Sequence, residues 1–257
     1  MKPIAIDFPN GNRAQALYVS QGTTAEQIIG ALELPHPRAF LILNGGTAKM
    51  EPELQAQLGQ LLQDGLARIA AEQQITVITG GTDAGVFALF GQGLAKWDRT
   101  VPCIGVTVMK WATWPGRIPR WLPTWLFDRG RVPLEPHHTH FALTDGDHWG
   151  AETKTMFALA AALSEGVPSV AVLASGGLIA REETLHNVRQ GREIIVIANS
   201  GRLADEIASV ITCDTETPDH EIAAIVRDGR ITLFNIADGP EALASLVRQK
   251  LFRGSAA

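Results

Sequence analysis

Between residues 39 and 209 the chain alternates short, continuously apolar runs with longer segments of helical period, and nothing else in the sequence limits the fold so tightly. The runs at 39–44 (AFLILN), 75–79, 102–108, 140–144, 168–173 and 193–198 read as strands with apolar residues on both faces. The segments 51–73, 84–96, 150–164, 178–190 and 202–209 read as helices. In the first of these, Pro52 stands in the opening turn and Leu54, Leu58, Leu61, Leu62, Leu66 and Ile69 recur at helical spacing. A strand that is apolar on both faces must be covered on both. The pattern therefore predicts an α/β fold, doubly wound, with a mainly parallel sheet and helices on both faces.

The whole of 1–257 is expected to form one domain in three parts. Residues 1–37 make an N-terminal extension of two strands (3–7 and 15–20) and a short helix, capped by Thr23 or Thr24, that ends before Pro35. Residues 38–210 are the core. In the C-terminal part, 211–257, a strand or hairpin turns around Arg227-Asp228-Gly229 with ITLFNI as its second arm, and a helix at 240–252 closes the chain.

At 257 residues, 46% hydrophobic, the chain is large enough for a substantial core. Its net charge of −5 argues against a nucleic-acid binder, which needs a basic surface. No apolar run approaches the roughly 20 residues of a membrane span, and the N-terminus has no apolar stretch of signal-peptide length, so a cytoplasmic location is expected. Cys103 and Cys213 each lie in an apolar run and are expected to be buried thiols. His137, His138 and His140 cluster without an H-x-x-x-H or cysteine partner, so no metal site is expected.

Four strands end in glycine: Gly45-Gly46, Gly80-Gly81, Gly176-Gly177 and Gly201. In an open parallel sheet ligands bind beyond the carboxyl ends of the strands, where glycine admits a close approach and helix N-termini offer free amides to anions. One such loop alone is an ordinary strand-to-helix turn; four on one edge make a candidate cleft for an anionic ligand. NSGRLADEIASV (199–210) is the most specific stretch, because Arg202 in the first helical turn opposes the helix dipole unless an anion sits above it. The bland alternative is a salt bridge to Asp205 or Glu206. Glu152, also at a helix start, is favoured there by the dipole alone; functionally it could bind a ribose diol or serve as the acid/base of a glycosidic cleavage. The segment 110–136 holds Trp111, Trp114, Trp121 and Trp125, four arginines and five prolines. It reads as a lid over a base or a protein-docking surface.

Taken in order, FLILNGGTAKM, TVITGGTDAGV, IGVTV, HTHFALTDGDHWGAETKTM, VPSVAVLASGG and NSGRLADEIA resemble the N-terminal cytosolic domain of melastatin-type transient receptor potential (TRPM) channels, part of the SLOG superfamily, in its stand-alone prokaryotic form, LSDAT. The match covers about residues 38–210. The resemblance implies a Rossmann-like fold and a nucleotide-derived ligand; in one channel of the family the equivalent domain binds ADP-ribose. It places binding at Gly45, Gly46, Thr79, Gly80, Gly81, Thr82, Gly176, Gly177, Ser200, Gly201 and Arg202, with no further cofactor. The superfamily is also similar to lysine decarboxylase-like enzymes that cleave the N-glycosidic bond of nucleoside monophosphates and carry P-G-G-x-G-T-x-x-E. Here SGGLIAREE and GDHWGAETK are the nearest segments and neither keeps that core, so the expectation is a sensor binding ADP-ribose or a relative, with hydrolysis through Glu152 or Glu182 the alternative. Expected partners are a small-molecule nucleotide and a protein docked on 110–136; self-association is left open.

Overall fold

The structure is a computed structural model that describes residues 2–48, 50–97, 101–118, 130–214 and 217–252. The strands are β1 (Ile4–Asp7), β2 (Arg13–Val19), β3 (Phe40–Gly45), β4 (Thr76–Thr79), β5 (Cys103–Val108), β6 (Ala112–Thr113), β7 (Val132–Pro133), β8 (His140–Thr144), β9 (Ser169–Ala174), β10 (Glu193–Ala198) and β11 (Arg230–Asn235). Among the described residues, nine of them form one sheet in the order β1-β2-β8-β5-β4-β3-β9-β10-β11. Only the β1–β2 pair is antiparallel. The expected α/β, Rossmann-like fold is therefore present.

Successive side chains of a strand point to opposite faces, so each apolar run feeds two cores. Leu41 and Leu43 of β3 join Val77, Val172 and Ile197 beneath α2 (Pro52–Gln60), α3 (Arg68–Gln73), α4 (Gly85–Trp97) and α9 (Gly239–Leu251). Phe40 and Ile42 of the same strand join Ile78, Ile104 and Val196 beneath α1 (Ala25–Ala31), α5 (Thr153–Leu163), α6 (Leu178–Arg189), α7 (Arg202–Cys213) and α8 (His220–Asp228). Each such fully buried chain is worth about 1.5–3 kcal/mol relative to exposure. The expected helix 51–73 is continuous, with a π-helical stretch at Leu61–Ala67 between α2 and α3. Thr24, not Thr23, caps α1, in a reciprocal capping box with Gln27.

Two expectations are corrected. The hairpin around Arg227-Asp228-Gly229 is instead the end of a helix. Asp219 caps α8 by accepting from Glu221 N and Ile222 N, Ile222 and Ile225 bury its apolar face, and β11 then runs parallel to β10. The charged tripeptide closes a helix that the apolar pair already commits to the core. Cys103 is buried as expected, but Cys213 is exposed. The buried stripe of α7 is Leu203, Ala204, Ile207 and Ala208, and position 213 falls off it at the helix end.

The strand order contains a reversal that the sequence does not display. From β3 the chain steps outward through β4, β5 and β8, then returns to lay β9 on the other side of β3 and continues to β10 and β11. The crevice at such a switch point is where open α/β sheets hold ligands. The loops that follow β3 and β9 carry Gly45-Gly46 and Gly176-Gly177. No helix among the described residues is long and apolar enough to cross a membrane.

Candidate functional site

A cleft of about 550 Å³ opens at this switch point, a volume within the range of small-molecule sites. Its glycine lip comes from Gly45, Gly46, Gly80 and Gly177, with Thr82 and Arg202 beside them. Phe87, Val132, Leu178 and the half-buried Trp149 supply an apolar wall, and Glu152 and Glu183 line it as well. Leu178 is 80% exposed on the rim.

Close backbone packing explains the glycines. The Arg202 guanidinium lies so near Gly177 that a Cβ there would stand 3.3 Å from Nη2. Gly85, at φ +51°, opens α4 against the Gly46 carbonyl, where no side chain fits, and Val86 N donates to that carbonyl at 3.1 Å. Three non-glycine residues on this edge are left-handed: Ser175 (φ 57°), Asn199 (φ 65°) and Arg202 (φ 54°). Such conformations cost about 1–3 kcal/mol each and concentrate at ligand sites.

Thr24 on α1 and Asp219 on α8 are side-chain caps, while α2 and α9 start without one. At the cleft, α6 and α7 begin behind Gly177 and Gly201 with no side-chain cap. In α7 the first-turn amides Leu203 N and Ala204 N are taken by Gly176 O and Ser175 O, so it is the start of α6 that offers the partial positive charge that attracts anions. The salt bridge weighed for Arg202 does not form. Asp205 instead accepts from Gly201 N at 3.1 Å, Glu206 pairs with Arg181 at 3.3 Å, and Arg202 has no ion pair among the described residues.

The remaining expected binding residues stand just behind the surface. Ser200 is buried, with its hydroxyl donating to Ile197 O and accepting from Ser175 N at 2.7 Å. Gly176 and Gly201 shape the turns before α6 and α7, and Gly81 packs on Gly105. Thr79 is buried: its hydroxyl accepts from Gly81 N at 2.9 Å and pairs with His138 Nε2 at 2.7 Å, while His138 Nδ1 meets Glu135 at 2.7 Å. This is the order of a hydroxyl–imidazole–carboxylate relay, but the hydroxyl is sealed from any substrate. His137 and His138 of the cluster thus help clamp the glycine loop through Glu135, whereas His140 pairs with Thr139. Glu135 also accepts from His137 N and His137 Nδ1, Glu135 N donates to Gly81 O, and Thr82 pairs with Leu134.

Glu152 precedes α5 and its carboxylate accepts from Gly150 N at 2.8 Å; burial pushes its carboxyl upward. Glu182, the other acid weighed for hydrolysis, does not line the cleft, whereas its neighbour Glu183 does. Glu183 is almost fully buried, and burial pushes it up to about 8 against the opposing hydrogen bond from Asn44 Nδ2 at 2.9 Å. It is therefore mostly protonated at neutral pH. A sequence signal for it existed: the buried face of α6 is Ala180, Glu183, Thr184 and Asn187, so helical spacing puts three polar residues where apolar ones belong.

The segment 110–136 is divided. Trp114 is buried with Ile6, Phe8 and Phe141, and Arg117 lies over its ring at 4.6 Å. Trp111 donates to Asp147 O at 3.0 Å, which ties it to the loop before Trp149. Val132 reaches the cleft. Trp121 and Trp125 lie outside the described residues.

A crystal structure of TM1055, a structural-genomics target, is similar to this chain with a TM-score of 0.52 at 15% identity, covering 82% of this chain and 99% of that one. Transient receptor potential cation channel subfamily M member 2 of Mus musculus is 25% identical over 248 residues, 84% of this chain and 16% of the channel. Its counterpart in Rattus norvegicus is 25% identical over 202 residues, 68% of this chain and 13% of the channel. This chain thus spans less than a fifth of those channels. The family model described as SLOG in TRPM, prokaryote (LSDAT) matches residues 38–245. With most of its length so matched, and with a parallel sheet whose switch point opens into a glycine-lipped cleft, the chain belongs to the prokaryotic SLOG-in-TRPM family, LSDAT.

Proposed function

We propose that the cleft binds a nucleotide-derived ligand of the ADP-ribose class, with its phosphates over the glycine lip and Arg202 and its base against Trp149 and the apolar wall. The observation that carries this reading is Arg202: an exposed guanidinium on a left-handed backbone, set against Gly177, with no carboxylate taking it among the described residues. A planar fork in that position pairs with phosphate in bidentate fashion. The resemblance to the channel sensor domain supports the same ligand class. In this reading the chain is a cytoplasmic sensor, and segment 110–136 hands the signal to a protein partner or a second copy.

Calorimetry and thermal-shift measurements with ADP-ribose, NAD and AMP test it. Arg202→Ala is expected to weaken binding by about 1.5–3 kcal/mol, the range of a charged hydrogen bond. If no nucleotide at millimolar concentration stabilises the wild type, the reading fails.

A second reading, N-glycosidic cleavage, is favoured by one observation. Laying Ser175-Gly176-Gly177 on the first three positions of P-G-G-x-G-T-x-x-E puts the motif's glutamate at Glu183, the cleft carboxyl that burial keeps protonated. A general acid needs its proton at working pH. Incubation with NAD, ADP-ribose and nucleoside monophosphates, followed by chromatography of released base, separates the two. Turnover that is lost in Glu152→Gln or Glu183→Gln makes the protein an enzyme; no released base leaves a sensor.

A further inference from the structure

Glu183 is connected to the far edge of the sheet. Asn44 Nδ2 donates to Glu183 Oε2 at 2.9 Å, Asn187 Nδ2 donates to Asn44 Oδ1 at 2.8 Å, and Arg192 Nη1 donates to Asn187 Oδ1 at 2.8 Å. Arg192 stands just before β10, and its Nε reaches Ser169 at the start of β9, so it lies at the edge opposite the glycine loops. All four side chains are at most 5% exposed.

The direction of this chain is fixed by chemistry. A guanidinium only donates, so the Asn187 atom facing it is the oxygen. The Asn187 amide nitrogen must then face Asn44 oxygen, and Asn44 nitrogen must face Glu183. Two amide dipoles therefore line up with their positive ends toward the carboxyl. The other partners of Arg192 are Gln190, Ser169 and Ser164, all neutral. Burial draws its guanidinium down to about 10, still charged near neutrality, and no carboxylate among the described residues cancels that charge locally. In a low-dielectric interior such a chain transmits polarisation that water would screen.

We propose that Arg192, acting through Asn187 and Asn44, controls the proton on Glu183 and thereby sets the pH range in which the cleft accepts an anionic ligand. This rests on the reading that the cleft is a ligand site. Arg192 is a positioning residue, since it touches nothing in the cleft. Opposing it are burial of Glu183 and the negative charge of Glu152 at the start of α5 and of Glu182 on the same helix; Arg202 faces the cleft from α7. The oriented chain holds Glu183 low enough to titrate near neutrality. Protonated, Glu183 presents a hydroxyl to a phosphate or ribose oxygen. Ionised, it repels the phosphate.

The experiment is carbon NMR of glutamate carboxyls in the full, ligand-free chain, with Glu183→Gln identifying the resonance. Arg192→Gln and Asn187→Ala are each expected to raise the Glu183 midpoint by about 0.5 pH or more, the direction given by weakening the polarised chain behind Asn44, the donor that favours the charged form. Arg192→Lys, which keeps the charge, should hold it nearer the wild-type value. A merely structural role would lower thermal stability in both variants and leave the midpoint in place, and that result overturns the proposal; either variant alone decides. Affinity for ADP-ribose, followed from pH 6 to 9, should fall as pH passes the midpoint and should shift with it in the variants. An affinity that ignores the midpoint overturns the link to ligand capture. Failure of ADP-ribose to bind at any pH overturns the reading of the cleft instead, while the NMR arm still decides the control of Glu183.

Discussion

Glu135→Ala is expected to lower the stability of the fold by about 3–5 kcal/mol, the cost of leaving one side of a buried hydrogen-bonded pair unpartnered. The carboxylate is 1% exposed and accepts from His137 N, His137 Nδ1 and His138 Nδ1, so its loss strands two imidazoles and a backbone amide. Burial pushes the Glu135 carboxyl up, but the hydrogen bonds and charges of His137 and His138 together outweigh it and hold it at about 2. A carboxyl whose folded value is depressed contributes stability above its unfolded value, near 4.5, and loses it as pH falls toward 2. Across that window the wild type should lose about 3 kcal/mol that Glu135→Gln does not. Urea denaturation at pH 7, 4.5 and 2.5 measures both effects. Because Glu135 holds Gly81 and Thr82 through His138, Thr79 and the Leu134 bridge, even a folded Glu135→Gln should bind nucleotide more weakly. Equal stability slopes in wild type and variant would show that the clamp carries no charge.

Glu183→Gln is expected to act in the opposite sense and stabilise the protein at pH 8 by roughly 2–4 kcal/mol. The folded value of Glu183 is raised to about 8, so the native state holds a proton that the unfolded chain releases near 4.5. The Glu183 contribution to stability should therefore decline from pH 4.5 to 8 and level off above it. The glutamine keeps an oxygen for Asn44 Nδ2 and has no charge to bury, so its curve should lack that decline over the same window. The difference between the two denaturation curves isolates Glu183 from other titrating groups. A variant that parallels the wild type across pH 5–8 would mean that Glu183 is ionised in the native state. Two buried carboxyls in one molecule thus move apart because one is surrounded by imidazole donors and the other meets a single neutral amide.

Most of the elements were legible in the sequence because burial on both faces writes itself as period. AFLILN and IIVIA can only be central strands, and the stripe Leu54, Leu58, Leu61, Leu62, Leu66, Ile69 can only be a helix face. The errors fall where burial is partial. Residues 220–228 form a helix with the Asp219 cap, buried Ile222 and Ile225 and partly buried Val226, a stripe too short to outweigh an Arg-Asp-Gly that reads as a turn. Cys213 follows Val210-Ile211-Thr212 but lies off the buried face of its helix.

The candidate site was legible in half. Glycine after a strand, and an arginine that opposes its own helix dipole, are local statements, and Gly45, Gly46, Gly80, Gly177 and Arg202 do meet in one cleft. Glu183 was passed over for Glu182 because adjacent residues differ only in the helix face they occupy, and that face is chosen by what packs against it. The clamp of Glu135 and His138 on Thr79 joins positions far apart in the chain, so no window of sequence contains it.

By itself, then, the amino-acid order determined that the strands lie parallel between two layers of helices and that their carboxyl ends are lined with glycine, since both follow from the period of apolar residues and the conformations open to single residues. Strand order was decided only in three dimensions. The reversal beside β3, which opens the crevice between Gly46 and Gly177, depends on which strand pairs with which, and apolar strands of similar length carry no local mark of their neighbours. The protonation of Glu183 was settled at the same level, because it depends on the burial and dipoles that Asn44, Asn187 and Arg192 provide only after the chain has folded.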